Sequence, residues 1–340
     1  MTLSSEQADF NLELGVGFDG KAYMMWEDTL ANGINDSIRF AQCTAGGCTS
    51  ASGWQVMTLL SGVSASLDGD REMVIDSANG IHLLASDGRR LYFHCQSNCS
   101  SLSSWASGVL PGGTCESSAL ALGNAVLGAA CTDSGTVTYL ECRGACTSTS
   151  SWTSVTIAQN AKRFVTVSLG FSSNSLPRLA YRASDDRPTA WACDGSCANA
   201  SSWFGVSFSA PGGVGSTDDT HQSIDWSTGA GVLALAQDDA VSVLRCTDGA
   251  SCWTVNGTWR ATRVETAAQA ASTLLTAPPR CAGNETPFSQ LGTRGAPVTV
   301  QSPEGIYVLS KASDFAGCEP TRTSYRELRH RVHLSFIPTR

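Results

Sequence analysis

Five times along this chain two cysteines stand close together and a tryptophan follows, with five or six residues between: Cys43/Cys48/Trp54, Cys95/Cys99/Trp105, Cys142/Cys146/Trp152, Cys193/Cys197/Trp203 and Cys246/Cys252/Trp259. The first cysteines of these marks are 52, 47, 51 and 53 residues apart. A period of about fifty residues, filled with short β-branched and aromatic runs, is the pattern of repeated sheets that cannot bury both faces alone and must stack on one another. The 340 residues therefore read as one array with shared interfaces rather than as two ordinary domains.

The fourth unit is the clearest. Its runs at 163–171, 176–184, 188–193 and 202–208 are short, rich in β-branched or aromatic residues and bounded by Gly, Ser, Asn or Asp, which predicts four antiparallel strands. The cysteine pair then falls in the hairpin between the third and fourth strands, and the tryptophan opens the fourth. An aspartate marks the end of the second strand in every unit: Asp28, Asp87, Asp133, Asp185, Asp238 and Asp314. The last lies beyond the fifth cysteine mark and reveals a degenerate sixth unit. The expected fold is all-β, a six-bladed β-propeller of four-stranded antiparallel blades with an irregular sixth, forming a single domain over 1–340. Its units run at about 9–60, 61–110, 111–158, 159–209, 210–264 and 265–340. Residues 265–296 interrupt the pattern with an Ala-rich stretch suited to a short helix, and the strand-like end after Tyr325 would complete the sixth blade or close the ring with the amino terminus.

Fourteen cysteines are too many for a chain kept in a reducing compartment. Four-cysteine zinc sites need two-residue spacers and two pairs brought together, whereas these pairs have three to five residues between them and recur once per blade. Disulfides fit better: one within each motif, Cys115 with Cys131 across the first hairpin of the third unit, symmetric about a turn at Gly123 and Asn124, and Cys281 with Cys318 as the remaining pair. Each short bridge would contribute about 2 kcal/mol by restricting the unfolded chain. The amino terminus has no basic start followed by an apolar run, so the chain reads as a mature secreted, periplasmic or cell-surface form without its signal peptide.

Thirty acidic against 22 basic side chains give a net charge of −8, which disfavours nucleic acid as a partner, and no apolar run is long enough for a membrane span. The tract 216–226 concentrates Asp218, Asp219, His221 and Asp225 beside the first strand of the fifth unit. Carboxylates and an imidazole at that place would bind a ligand, or, with Asp219 and His221 as acid and base, catalyse. A polar loop with a channel-lining histidine is the preferred account of the tract. The adjacent pairs Asp185/Asp186 and Asp238/Asp239 are the candidates for a structural calcium ion, set against the ordinary use of Asp in turns; no cofactor is required. His330 and His333, three apart on a strand, face opposite sides and cannot share a metal. The motif tryptophans would stack on sugars if each blade repeated a lectin site, but the residues around them vary, and packing between blades is the preferred reading.

The cysteines that follow `LYFHC` or `TYLEC`, with a Ser/Thr-rich turn and a tryptophan after them, resemble the cysteine-marked β-propeller repeats of secreted and surface proteins of bacteria, myxobacteria among them. The likeness covers about residues 10–263. It implies a propeller and export, and assigns no catalytic residue. The expected function is accordingly a non-catalytic module that binds a protein or a glycan. The alternative is a propeller hydrolase or lyase acting on an ester, lactone or polysaccharide, with a metal or acid/base site in the central channel.

Overall fold

The computed structural model describes residues 9–28, 34–43, 48, 50–64, 72–163, 167–207, 222–225, 231–237, 240–246, 252, 259–266, 286–291, 298–302, 305–319 and 326–338. They form six four-stranded antiparallel sheets that follow one another along the chain. Blade 1 holds β1 (Asp9–Val16), β2 (Ala22–Asp28), β3 (Ile34–Cys43) and β4 (Trp54–Ser64). Blade 2 holds β5 (Glu72–Ile75), β6 (Ile81–Ser86), β7 (Arg90–Cys95) and β8 (Ala106–Val109). Blade 3 holds β9 (Ser117–Gly123), β10 (Val126–Asp133), β11 (Thr136–Cys142) and β12 (Trp152–Ala158). Blade 4 holds β13 (Ser168–Phe171), β14 (Pro177–Arg182), β15 (Pro188–Cys193) and β16 (Trp203–Ser207). Blade 5 holds β17 (Gln222–Asp225), β18 (Gly231–Gln237), β19 (Ala240–Cys246) and β20 (Trp259–Thr266).

These five sheets are simple meanders in which each strand pairs with its sequence neighbours. The sixth departs from them, as the sequence led one to expect. Its strands are β21 (Thr286–Leu291), β22 (Val298–Ser302), β23 (Gly305–Glu319) and β24 (Arg326–Pro338). The long β23 pairs with β22 through 305–309 and with β21 through 314–319, while β24 runs along β23 from Ala316 back to Gly305. The carboxyl-terminal strand thus completes the sixth blade. Asp314, expected in a turn, lies inside β23 opposite Leu291 and Arg329. The reason is that the sixth unit has no turn after its apolar run `GIYVLS`, so the strand continues through the marker position. The first strand of blade 4 begins only at Ser168, five residues later than the sequence pattern suggested.

By its contacts the chain divides into two compact units, Met1–Phe164 with Asp194–Trp203, and Val165–Cys193 with Phe204–Arg340. In the first, β1 lies against β5 and β5 against β9; in the second, β13 lies against β17 and β17 against β22. Middle strands are buried on both faces, β10 almost throughout, although successive side chains point to opposite faces. Leu91, Phe93 and Cys95 of β7 join Met25, Ile38 and Phe40 of blade 1 in one cluster. Tyr92, one residue out of phase, joins Leu120, Leu127, Leu140 and Trp152 of blade 3 in another. In the second unit, Ala180, Ala190 and Ala192 of blade 4 meet Leu233 and Leu244 of blade 5. The outer strand β8 is mostly exposed, and this is the edge the repeat must secure.

Candidate functional site

The repeated residues first account for themselves. The first cysteine of each motif ends the third strand and the tryptophan begins the fourth, or stands just before it in blade 2, so the two face each other in register: Cys43 with Trp54, Cys142 with Trp152, Cys246 with Trp259. The Ser/Thr-rich turn between them closes as one 3-10 turn at Ala51–Gly53, Leu102–Ser104, Thr149–Ser151 and Ala200–Ser202, each ending on the tryptophan. Each indole Nε1–H then donates to the carbonyl of the second cysteine, at 3.1, 3.0, 2.7, 3.0 and 2.8 Å for Trp54, Trp105, Trp152, Trp203 and Trp259. The bridges Cys43–Cys48, Cys95–Cys99, Cys142–Cys146 and Cys246–Cys252 are formed, and Cys193 and Cys197 are disulfide-bonded too.

The rings of Trp105, Trp152 and Trp203 pack on the preceding blade. In blades 1 to 3 an aromatic ring stands three residues before the first cysteine, and the next blade's tryptophan meets it edge-on or tilted: Phe40 with Trp105 at 4.9 Å and 70°, Tyr92 with Trp152 at 5.8 Å and 70°, Tyr139 with Trp203 at 5.0 Å and 59°. Quadrupole attraction favours this geometry over a face-to-face sandwich. Trp152 and Trp203 are each only 6 % exposed, so neither offers a ring face to a sugar. Blade 2 also approaches blade 3 at Gly108 of β8, where an added Cβ would come within 2.2 Å of the Thr147 carbonyl oxygen in the next cysteine loop. Thr149 also donates from its hydroxyl to the Val109 carbonyl at 2.6 Å.

Cys115 pairs with Cys131 across a Cα separation of 5.5 Å, as expected. The turn is one residue further on than the symmetry of the two cysteines implied: Gly123 pairs with Val126, leaving Asn124 and Ala125 as the turn, with Ala125 at φ +56°. Cys115 stands ahead of β9, and the extra reach along the chain absorbs the offset. The partner expected for Cys318, Cys281, lies outside the described residues.

Of the charged tract in the fifth unit, Asp225 is the last residue of β17; Asp218, Asp219 and His221 lie outside the described residues, as do Asp238 and Asp239. Asp185 and Asp186 sit in the β14–β15 turn, Asp186 at φ +67°. Both carboxylates face guanidinium groups. Asp185 accepts from Arg187 Nε at 2.7 Å, and Asp186 lies 3.0 Å from the buried Arg182. The Arg187 hydrogen bond is the main influence holding the Asp185 carboxyl below the usual carboxylate range. Asp87 and Arg89 repeat this arrangement in blade 2.

A different cluster comes together at the opposite end of blade 2, the end that carries the cysteine loop. Asp76 follows β5, His82 is the second residue of β6 and His94 stands opposite it on β7. The rings of His82 and His94 stack at 4.7 Å and 28°. Tyr92 Oη lies 2.6 Å from His82 Nδ1, while His82 Nε2 faces Asp76 Oδ2 at 3.4 Å. The other carboxylate oxygen of Asp76 is fixed by its own turn, accepting from Ala78 N–H at 2.8 Å and Gly80 N–H at 2.6 Å. Asn79 takes a left-handed φ of +65° there, which Asn tolerates better than most residues. Gly80 is required, since a Cβ would stand 2.5 Å from Asp76 Oδ2. Burial, then the neighbouring His94, lower the His82 pKa below its ordinary 6.5 against the opposing pull of Asp76. Burial, reinforced by Asp76, pushes the Tyr92 phenol far above 10, keeping the hydroxyl neutral.

The turn of Asp76 is tied to blade 1, since Asn79 Oδ1 accepts from Asp19 N–H at 3.1 Å. Asp19 lies in the β1–β2 turn beside Phe18, whose ring is 76 % exposed. Among the described residues of the other cysteine-marked blades this combination does not recur. The positions matching His82 and His94 hold Tyr23 and Gln42 in blade 1, Gly128 and Glu141 in blade 3, Arg178 and Ala192 in blade 4, and Val232 and Arg245 in blade 5. The cluster escaped the sequence reading because it depends on register. Once the hairpin is fixed by the Asp87 turn, His82 and His94 must face each other, and that was the available signal.

No protein-family model and no curated protein sequence matches this chain. Solved structures do. The SapL1 lectin, in complex with α-methyl fucoside, is similar over 98 % of both chains with 11 % identity and a TM-score of 0.51. AofleA from Arthrobotrys oligospora is similar over 96 % of this chain and 86 % of its own, with 9 % identity and a TM-score of 0.51. The α-L-arabinofuranosidase Arb93A from Fusarium graminearum, bound to an iminosugar inhibitor, is similar over 97 % of this chain and 93 % of its own, with 11 % identity and a TM-score of 0.50. Such likeness is one of fold. With its all-β succession of six four-stranded antiparallel sheets, this chain has the six-bladed β-propeller fold.

Proposed function

We propose that this chain is an extracellular, disulfide-stapled propeller that binds a glycan without altering it, through the surface made by the β1–β2 turn and the Asp76–His82–His94 end of blade 2. The observation that carries the reading is the pairing of an exposed aromatic, Phe18, with a half-buried polar cluster that occurs in one blade alone among those described. A sugar presents C–H faces suited to an aromatic ring and hydroxyl groups suited to planar carboxylate and imidazole partners. The repeated cysteines and tryptophans serve the scaffold, so the blade-specific residues are the ones free to specify a ligand. Six disulfides agree with an oxidising, extracellular setting. The fold is shared with a lectin held on a fucoside, and also with an arabinofuranosidase. Glycosidases use two converging carboxylates, and this cluster supplies one.

Labelled protein applied to a glycan array tests the proposal. One glycan or a few related ones should bind, and Phe18→Ala and His94→Ala should each weaken binding about tenfold, the worth of one good polar or aromatic contact. Mass spectrometry of the bound glycan should show it unchanged after prolonged incubation. Cleavage that is lost in Asp219→Ala or His221→Ala would instead support the hydrolase or lyase reading.

A further inference from the structure

We infer that Asp76, His82 and His94 form a binding site for a divalent transition-metal ion of the zinc class. The site is built from a turn and two adjacent strands of one blade, and one ligand atom from each of the three residues lies within 4.8 Å of the other two. Two ligands bound at about 2.0–2.1 Å to a tetrahedral zinc stand about 3.3 Å apart. Asp76 Oδ2 and His82 Nε2 already stand 3.4 Å apart.

Their supports point the same way. A metal-ligating histidine usually donates its other ring N–H to an outer partner, and with its proton on Nδ1 His82 would donate to Tyr92 Oη at 2.6 Å, leaving the bare Nε2 directed at Asp76. A ligating carboxylate is likewise held by outer hydrogen bonds, and Asp76 Oδ1 accepts two backbone N–H groups while Oδ2 is left for the ion. Gly80 leaves the space beside Oδ2 open, because any Cβ there would stand 2.5 Å from it. His94 faces the site from β7 in register with His82. Two imidazoles and one carboxylate suit zinc and its first-row neighbours better than calcium, which takes oxygen ligands. Three protein ligands leave a fourth position for water or a ligand oxygen. The twelve cysteines from Cys43 to Cys252 offer no competing site, since all are disulfide-bonded.

The test is isothermal titration calorimetry of the chelator-stripped, oxidised full chain with Zn2+ alone, in the absence of any glycan, so that its outcome is separate from that of the proposed binding function. Wild type should take up one equivalent, and His82→Gln and His94→Gln should each abolish it, with circular dichroism confirming the same fold. Tyr92→Phe keeps the ring against Trp152 and removes only the hydroxyl. It should weaken Zn2+ binding about tenfold or more, as loss of an outer-shell partner does. His330→Gln with His333→Gln should bind like wild type. Absence of stoichiometric uptake by wild type, or one equivalent retained by the His82→Gln/His94→Gln double variant, would overturn the assignment.

Discussion

Replacing Trp152 with alanine should expose what the repeat is for. The side chain is 6 % exposed, meets Tyr92 of the preceding blade at 5.8 Å and 70°, and donates its indole N–H to the Cys146 carbonyl at 2.7 Å. Emptying a buried aromatic site of this size costs about 3–5 kcal/mol. Within that sum the edge-on pair with Tyr92 is worth about 0.5–1.5 kcal/mol, and the hydrogen bond about 1 kcal/mol, since water can reach the half-buried Cys146 once the donor is gone. Trp152→Phe, which keeps an aromatic ring, should therefore lose about 1–2 kcal/mol. A Tyr92→Ala/Trp152→Ala double-mutant cycle should show a coupling of about 0.5–1.5 kcal/mol. Urea unfolding of the oxidised protein, followed by far-ultraviolet circular dichroism, measures all of these. A loss below about 1 kcal/mol for Trp152→Ala, at the level of an ordinary surface change, would refute the view that the motif clasps one blade to the next.

Gly108→Val should destabilise by about 1–3 kcal/mol through overpacking, because the new Cβ meets the Thr147 carbonyl at 2.2 Å, whereas Gly144→Ala, with nothing within 4 Å, should change stability by less than about 0.5 kcal/mol; paired urea titrations compare them. Burial depresses the pKa of His82 in the folded state, so the unfolded chain binds the extra proton; the stabilising contribution is complete above pH 6.5 and is lost as the pH falls through the folded value. Melting temperature should therefore decline less steeply below pH 6.5 in metal-free His82→Gln than in metal-free wild type. Peptide mapping under non-reducing conditions should recover Cys281 linked to Cys318 in addition to the bridges already formed; a free thiol at either would leave the irregular sixth blade without its expected tie.

The scaffold was legible because its marks are local. Cys142, Cys146 and Trp152 are ten residues apart at most, and a hairpin loop of that length has few ways to close, so their spacing carries the strand ends, the disulfide and the register together. The tyrosine or phenylalanine three residues before the first cysteine in blades 1 to 3 was harder to read. Its partner is the tryptophan of the next blade, some sixty residues on, and stacking of blades alone brings them together. The Asp76–His82–His94 cluster stayed hidden for a related reason: it occurs once, and its members meet only when the β6–β7 register is set. Asp314 is misleading as a mark because the sixth unit has no turn there and the strand runs on through it.

The account holds that the repeat builds the scaffold and that blade 2 supplies the ligand surface, and one paired measurement separates those roles. Melting temperature and glycan affinity are measured in parallel for wild type, Trp203→Ala and His94→Ala, using the best ligand from the array. Trp203→Ala should lower the melting temperature and leave the affinity of the folded protein unchanged. His94→Ala should leave melting nearly unchanged and weaken binding about tenfold, equivalent to about 1.4 kcal/mol. A Trp203→Ala protein that melts like wild type but no longer binds, together with a His94→Ala protein that binds normally, would contradict the account and return the tryptophans to the role of sugar platforms.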